Sequence, residues 1–119
     1  MLESVFDTME NTVGNRFDTV GLPRWPLARL LIFRGGVIAG FDAIEHDTVR
    51  YALSVETPAL LLNGDEDPRV TPAQARALTA AFGSNARLHF VPGAGHDLFS
   101  AVAPGEWREA VCGFLDAHR

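Results

Sequence analysis

The stretch Ala59-Leu60-Leu61-Leu62-Asn63-Gly64-Asp65-Glu66-Asp67-Pro68-Arg69-Val70 decides the fold class. Four apolar residues follow one another without alternation, the pattern of a strand buried on both faces, as in a parallel sheet. Asn63-Gly64 ends the run and leads into three carboxylates in a turn. Thr71-Pro72-Ala73-Gln74 reads as a helix start, with Thr71 at the N-cap, proline at the first helical position and Gln74 placed to reach back to the cap. The helix is expected to run to about Phe82, where Gly83-Ser84-Asn85 closes it, and Arg87-Leu88-His89-Phe90-Val91 supplies the next strand before Pro92-Gly93. Strand, helix and strand at this spacing make a βαβ unit with a right-handed crossover.

Beyond this unit, a final helix is expected from about Gly105, with Trp107, Val111, Phe114 and Leu115 forming a stripe that lies on the sheet. Cys112, inside that helix, reads as buried packing. Before the unit, the chain divides near Glu56. Leu2, Val5, Phe6 and Met9 fit one face of a short helix from Met1 to about Asn11, which Gly14 ends. Gly21-Leu22-Pro23-Arg24-Trp25-Pro26 is a turn-rich linker, and Leu27, Leu30, Leu31 and Ile32 give a second helical stripe running to the Gly35-Gly36 break. Trp25 and Phe33 read as core residues, with a substrate-cavity lining as the alternative. A turn at Asp42–Asp47 and a short helix at Thr48–Leu53 lead into the first strand. His46 and Asp47 share no helical face and have no second His or Cys at ligand spacing, so His46 is read as a solvated surface residue. His89 is expected to be packed or half-exposed, and His118 belongs to a fraying tail. Residues 1–55 form a helical connecting segment and residues 56–119 a βαβα unit, together a single incomplete α/β domain.

Composition bounds the partners. Of 119 residues, 47% are hydrophobic and 21% charged, which suits a chain with a packed core and argues against disorder. The formal charge of −5 gives no basic patch, so nucleic acid and anionic membrane surfaces are not expected partners. No run reaches the roughly 18 apolar residues of a membrane span, and Met1-Leu2-Glu3 opens with an acid where a signal peptide carries a base, so the cytoplasm is the expected compartment. One cysteine excludes an internal disulfide, and no spacing implies a metal or an organic cofactor.

Two residues carry the chemistry. Asp67 follows the first strand of the βαβ unit and His96, in Gly93-Ala94-Gly95-His96, follows the second. Loops at the carboxyl ends of adjacent parallel strands lie on one edge of the sheet, so Asp67 and His96 are expected within hydrogen-bond reach. The carboxylate then fixes the imidazole tautomer and leaves the other ring nitrogen free to take a proton from a nucleophile. The alternative reading makes Asp67 a turn acid and His96 an ordinary loop residue. Asp65 and Glu66 read as solvated neighbours.

An apolar strand, Gly, two variable residues and Asp, followed after one further strand by Gly-x-Gly-His, resembles the acid and histidine loops of the α/β-hydrolases, whose triad runs Ser, Asp or Glu, His along the chain. The match covers about Val49 to Arg119. It implies the C-terminal part of a doubly wound, mostly parallel α/β-hydrolase sheet, with the N-terminal helices as a cap-like segment. It assigns Asp67 as the acid that orients His96, with His96 as general base toward an ester, thioester or amide substrate. The family's nucleophile elbow, Gly-x-Ser-x-Gly, is absent. Ser4, Ser54, Ser84 and Ser100 are expected in a helix start, a helix end, a turn and a loop, and none has the small flanking residues of an elbow. The resemblance therefore places the elbow and the oxyanion loop before Met1 and leaves open whether the nucleophile is Ser, Cys or Asp. Two functions follow: the acid-and-histidine half of a serine hydrolase, or a non-catalytic remnant that binds a ligand or partner. In either case an unpaired sheet edge favours a homo-oligomer or a complex with the missing half.

Overall fold

The computed structural model describes residues 1–119. At its centre lies β2 (Ala59–Gly64), flanked by β1 (Leu2–Glu3) and β3 (Ala86–Val91) in a parallel sheet of order β1-β2-β3. Leu61 pairs with Leu2 on one side and Leu88 on the other, and Gly64 pairs with Val91. All six residues of β2 are buried. Because side chains alternate across a strand, Ala59 and Leu61 pack with Ala52, Leu78 and Phe82, while Leu60 and Leu62 pack with Val91, Ala94 and Phe99. α3 (Thr48–Ala52) and α4 (Pro72–Ala81) cover the first face. α6 (Pro104–Asp116) covers the second through Trp107, Ala110, Val111 and Phe114. Helices on both faces explain why β2 reads as an unbroken apolar run.

Local chemistry sets the ends of these elements. Thr71 and Gln74 form the expected capping box: Thr71 Oγ1 accepts the Gln74 N–H at 3.4 Å and Gln74 Oε1 accepts the Thr71 N–H at 2.9 Å. Gly83, at φ +63°, turns the chain out of α4 toward β3.

The N-terminal half departs from its sequence reading. Leu2–Glu3 is a strand and not part of a helix, because hydrogen bonding to β2, distant in sequence, outweighs a helical spacing that a strand and a turn satisfy equally well. The sheet therefore draws strands from both sides of Glu56. The helix begins later, as α1 (Met9–Thr19), where Thr8 Oγ1 accepts the Asn11 N–H at 3.1 Å. Gly14 does not end α1. It leaves room for the Arg24 guanidinium, which a Cβ at position 14 would meet at 3.2 Å.

α2 (Arg24–Ala39) likewise runs through Gly35-Gly36 to a left-handed Gly40. Gly36 is buried under the following loop, and a Cβ there would stand 2.6 Å from the Phe41 carbonyl oxygen. That close approach offsets the roughly 1 kcal/mol a glycine costs inside a helix.

Several side chains also stand elsewhere than expected. Trp25 is 78% exposed and Phe33 59%, so neither is core. Cys112 and Leu115 are exposed, because the face α6 turns to the sheet is the Trp107, Ala110, Val111 and Phe114 stripe. His46 is half-buried among the rings of Phe6, Phe41 and Tyr51, at centroid distances of 5.9, 6.4 and 5.3 Å, where sequence placed it in solvent. The contact with Phe6, forty residues earlier in the chain, draws it in. No helix is long and apolar enough to cross a membrane.

Candidate active site

The carboxyl edge of the sheet gathers the polar loops. The acid loop leaves β2 at Gly64, and Asp67 is 3% exposed. Its Oδ1 accepts the backbone N–H groups of Arg69 at 2.8 Å and Val70 at 3.0 Å, and its Oδ2 lies 2.9 Å from His96 Nδ1. A carboxylate that already accepts two backbone donors faces Nδ1 as a third acceptor site, so Nδ1 carries the proton. In the neutral ring of that tautomer, Nε2 keeps its lone pair. The His96 side chain remains 33% exposed, so part of the ring is open to solvent. The geometry can hold one imidazole tautomer in place and lend it negative charge from a buried carboxylate.

The two loops meet because their backbones touch. Any Cβ at position 64 would overlap the carbonyl oxygens of Ala94 and Gly95, so only glycine admits the contact. Asp65 N–H donates to the Val91 carbonyl at 3.3 Å and Glu66 N–H to the Ala94 carbonyl at 3.1 Å. Asp65 Oδ1 accepts the Gly93 N–H at 2.7 Å, and Asp97 Oδ2 accepts the Gly95 N–H at 2.8 Å. Asp65 is therefore a brace between the loops and not merely a solvated neighbour. Sequence reasoning missed it because its partner is set by the β2–β3 register, and missed Asp97 although its contact with the Gly95 N–H is local. From below, buried Asn63 donates through Nδ2 to the Gly64 carbonyl at 2.8 Å and the Val70 carbonyl at 3.0 Å. The one signal for that role was an amide at the end of an apolar strand.

Other titratable side chains stand apart. His89 Nε2 lies 2.8 Å from Glu106 Oε1 beside a depression of about 650 Å³ between β3 and α6, which neither Asp67 nor His96 lines. His118 Nδ1 lies 2.7 Å from the Phe114 carbonyl. No group of three or more His, Cys, Asp or Glu side chains is arranged to hold a metal.

Ser54 follows the end of α3 and Ser84 lies in the turn after α4, as expected, whereas Ser4 and Ser100 do not fall where expected. Ser4 ends β1 with φ +45°, and its buried hydroxyl has no hydrogen-bond partner. Ser100 lies in α5 (Phe99–Val102) and not in a loop. No serine hydroxyl is hydrogen-bonded to His96, whose ring bonds to Asp67.

A parallel sheet covered on both faces by helices, with an Asp and a His on adjacent strand ends, defines an α/β-hydrolase fold, here in part. The chain belongs to the prolyl oligopeptidase family, whose sequence profile matches residues 39–119. In the solved structures, it is similar to an esterase of Pyrococcus furiosus, with 22% identity and a TM-score of 0.64 over 92% of this chain and 41% of that one. It is also similar to an α/β-hydrolase enzyme from a Medee basin deep-sea metagenome library, with 18% identity and a TM-score of 0.61 over 98% of this chain and 55% of the other. The chain thus spans about half the length of these relatives. No curated protein matches it in sequence.

Proposed function

We propose that these 119 residues supply the acid and the general base of a serine hydrolase that acts in the cytoplasm on an ester, thioester or amide, with the nucleophile contributed by residues outside them. The observation that carries the reading is the buried Asp67 carboxylate 2.9 Å from His96 Nδ1. Asp67 holds the ring so that Nε2 takes the proton of a serine hydroxyl as that oxygen attacks the substrate carbonyl. The same nitrogen then returns the proton to the leaving group as the acyl-enzyme forms. Water repeats the cycle in reverse and releases the acid. The absence of Gly-x-Ser-x-Gly from the sequence supports an external nucleophile.

The exposed apolar side chains of α2 and the outer edge of β1 favour a second reading, a non-catalytic module that binds a partner. Assay with a small activated ester separates the two. The 119-residue protein alone is expected to give no turnover. The contiguous reading frame upstream of Met1, expressed with it, is expected to contain an elbow and to give turnover that falls on the order of 10⁴-fold in kcat with Asp67→Asn. A reading frame without a nucleophile would leave the binding module standing. Turnover by the 119 residues alone, abolished by His96→Ala with the fold retained, would place the nucleophile inside them.

A further inference from the structure

We infer that Asn15 is a positioning residue for Asp67, locked in place by Arg24, so that the α1–α2 hairpin sets how firmly the carboxylate is presented to His96. This rests on the reading of Asp67 and His96 as orienter and base.

Gly14 and Asn15 are both poor helix formers, yet they sit side by side in the middle of α1. Such a local mismatch calls for a tertiary reason. Arg24 crosses the helix over Gly14 and donates through Nη2 to Asn15 Oδ1 at 2.9 Å, while its Nε lies 3.0 Å and 3.2 Å from the two oxygens of Asp18. Asn15 is 6% exposed, and its Nδ2 donates to the Arg69 carbonyl and to Gln74 Oε1, each at 2.8 Å.

The surroundings fix the amide orientation. Turned over, its N–H groups would face the guanidinium and its oxygen would face two other oxygens. Arg69 is also the residue whose N–H binds Asp67 Oδ1, and Gln74 Oε1 is the acceptor of the capping box that begins α4. One buried amide therefore ties the turn that holds the carboxylate to the capping box of the helix that follows it. It does so from the segment that sequence reading set apart as a cap.

The test is NMR of the ¹⁵N-labelled 119-residue chain, following the His96 Nδ1–H, whose bond to a carboxylate moves it to low field and slows its exchange with water. In the unaltered chain the proton is expected to be protected, and Asp67→Asn to abolish the protection. Asn15→Asp keeps the shape and the Arg24 pairing but removes both donors. It is expected to lower the protection about tenfold, the scale of one net hydrogen bond. Phe114→Ala, which weakens the opposite face of the sheet, is expected to lower the Tm and leave the protection of that proton in the folded state unchanged.

A protected proton that Asn15→Asp leaves intact overturns the inference alone, and so does an equal loss in Phe114→Ala. No protected proton in the unaltered chain overturns the Asp67–His96 reading and this inference with it. Should Asn15→Asp fail to fold, Arg24→Gln at the half-exposed end of the latch decides. A loss of protection supports the positioning role of Asn15 and an unchanged signal refutes it.

Discussion

The loops at the carboxyl edge, residues 64–71 and 92–97, are polar in sequence yet tightly held. α2 is apolar in sequence yet held along a single stripe of Ala28, Ile32 and Gly36. Buried Asp67 and the bracing Asp65 in the loops, and Asn63 at the end of β2 beneath them, each satisfy backbone donors or acceptors. Around α2, Trp25, Leu30, Val37 and Ile38 stay largely exposed. Apolar composition thus does not by itself confer burial, which requires a facing surface, whereas a few correctly aimed polar groups can fix a loop.

The largest expected effect that would break this contrast is at Gly64. Gly64→Ala forces a methyl into the Ala94 and Gly95 carbonyls and is expected to cost on the order of 4 kcal/mol, with the His96–Asp67 bond lost, as read by denaturant unfolding and the His96 ring resonances. If Gly64→Ala folds normally, the loops are not held by close backbone approach.

Next come two leucines of the same size. Leu78→Ala, in the fully buried centre of α4, is expected to cost about 3 kcal/mol. Leu30→Ala, on the open side of α2, should stay within about 0.5 kcal/mol. A comparable loss at Leu30 in unfolding experiments would mean that α2 is covered in solution.

Removing one half of the capping box comes third. Thr71→Ala is expected to lower stability by about 1 kcal/mol in the same measurement, since it leaves the Gln74 N–H without its acceptor.

The smallest effect concerns pH. The Arg24 hydrogen bond holds the Asp18 carboxyl below its ordinary value of 3.8. A lowered folded value means that the contribution is complete above the unfolded value and disappears as pH falls through the folded one. Both groups are exposed, so the loss should be slight and further reduced by salt. A thermal melt series from pH 5 down to pH 3, with Asp18→Asn as reference, checks it.

Legibility followed the same division. β2, α4 and β3 could be read in order because each is announced locally, by an apolar run, by the Thr71–Gln74 box and by the Pro92-Gly93 stop. The meeting of Asp67 and His96 was legible because adjacent parallel strands put their carboxyl ends together. β1 was not, since two residues carry no periodicity of their own. Nor was the turn of Cys112 and Leu115 to solvent, because which face of α6 meets the sheet depends on where the helix lands.

Sequence by itself determined the βαβ order, the capped helix and the residue types delivered to the carboxyl edge, all of which rest on interactions within a few residues or on strand direction. Tertiary structure alone decided that residues 2–3 would complete the sheet, that Gly64 would lie under a second backbone, and that Asn15 would reach the acid loop. Those outcomes depend on contacts between segments far apart in the chain, whose partners and register exist only once the sheet has formed.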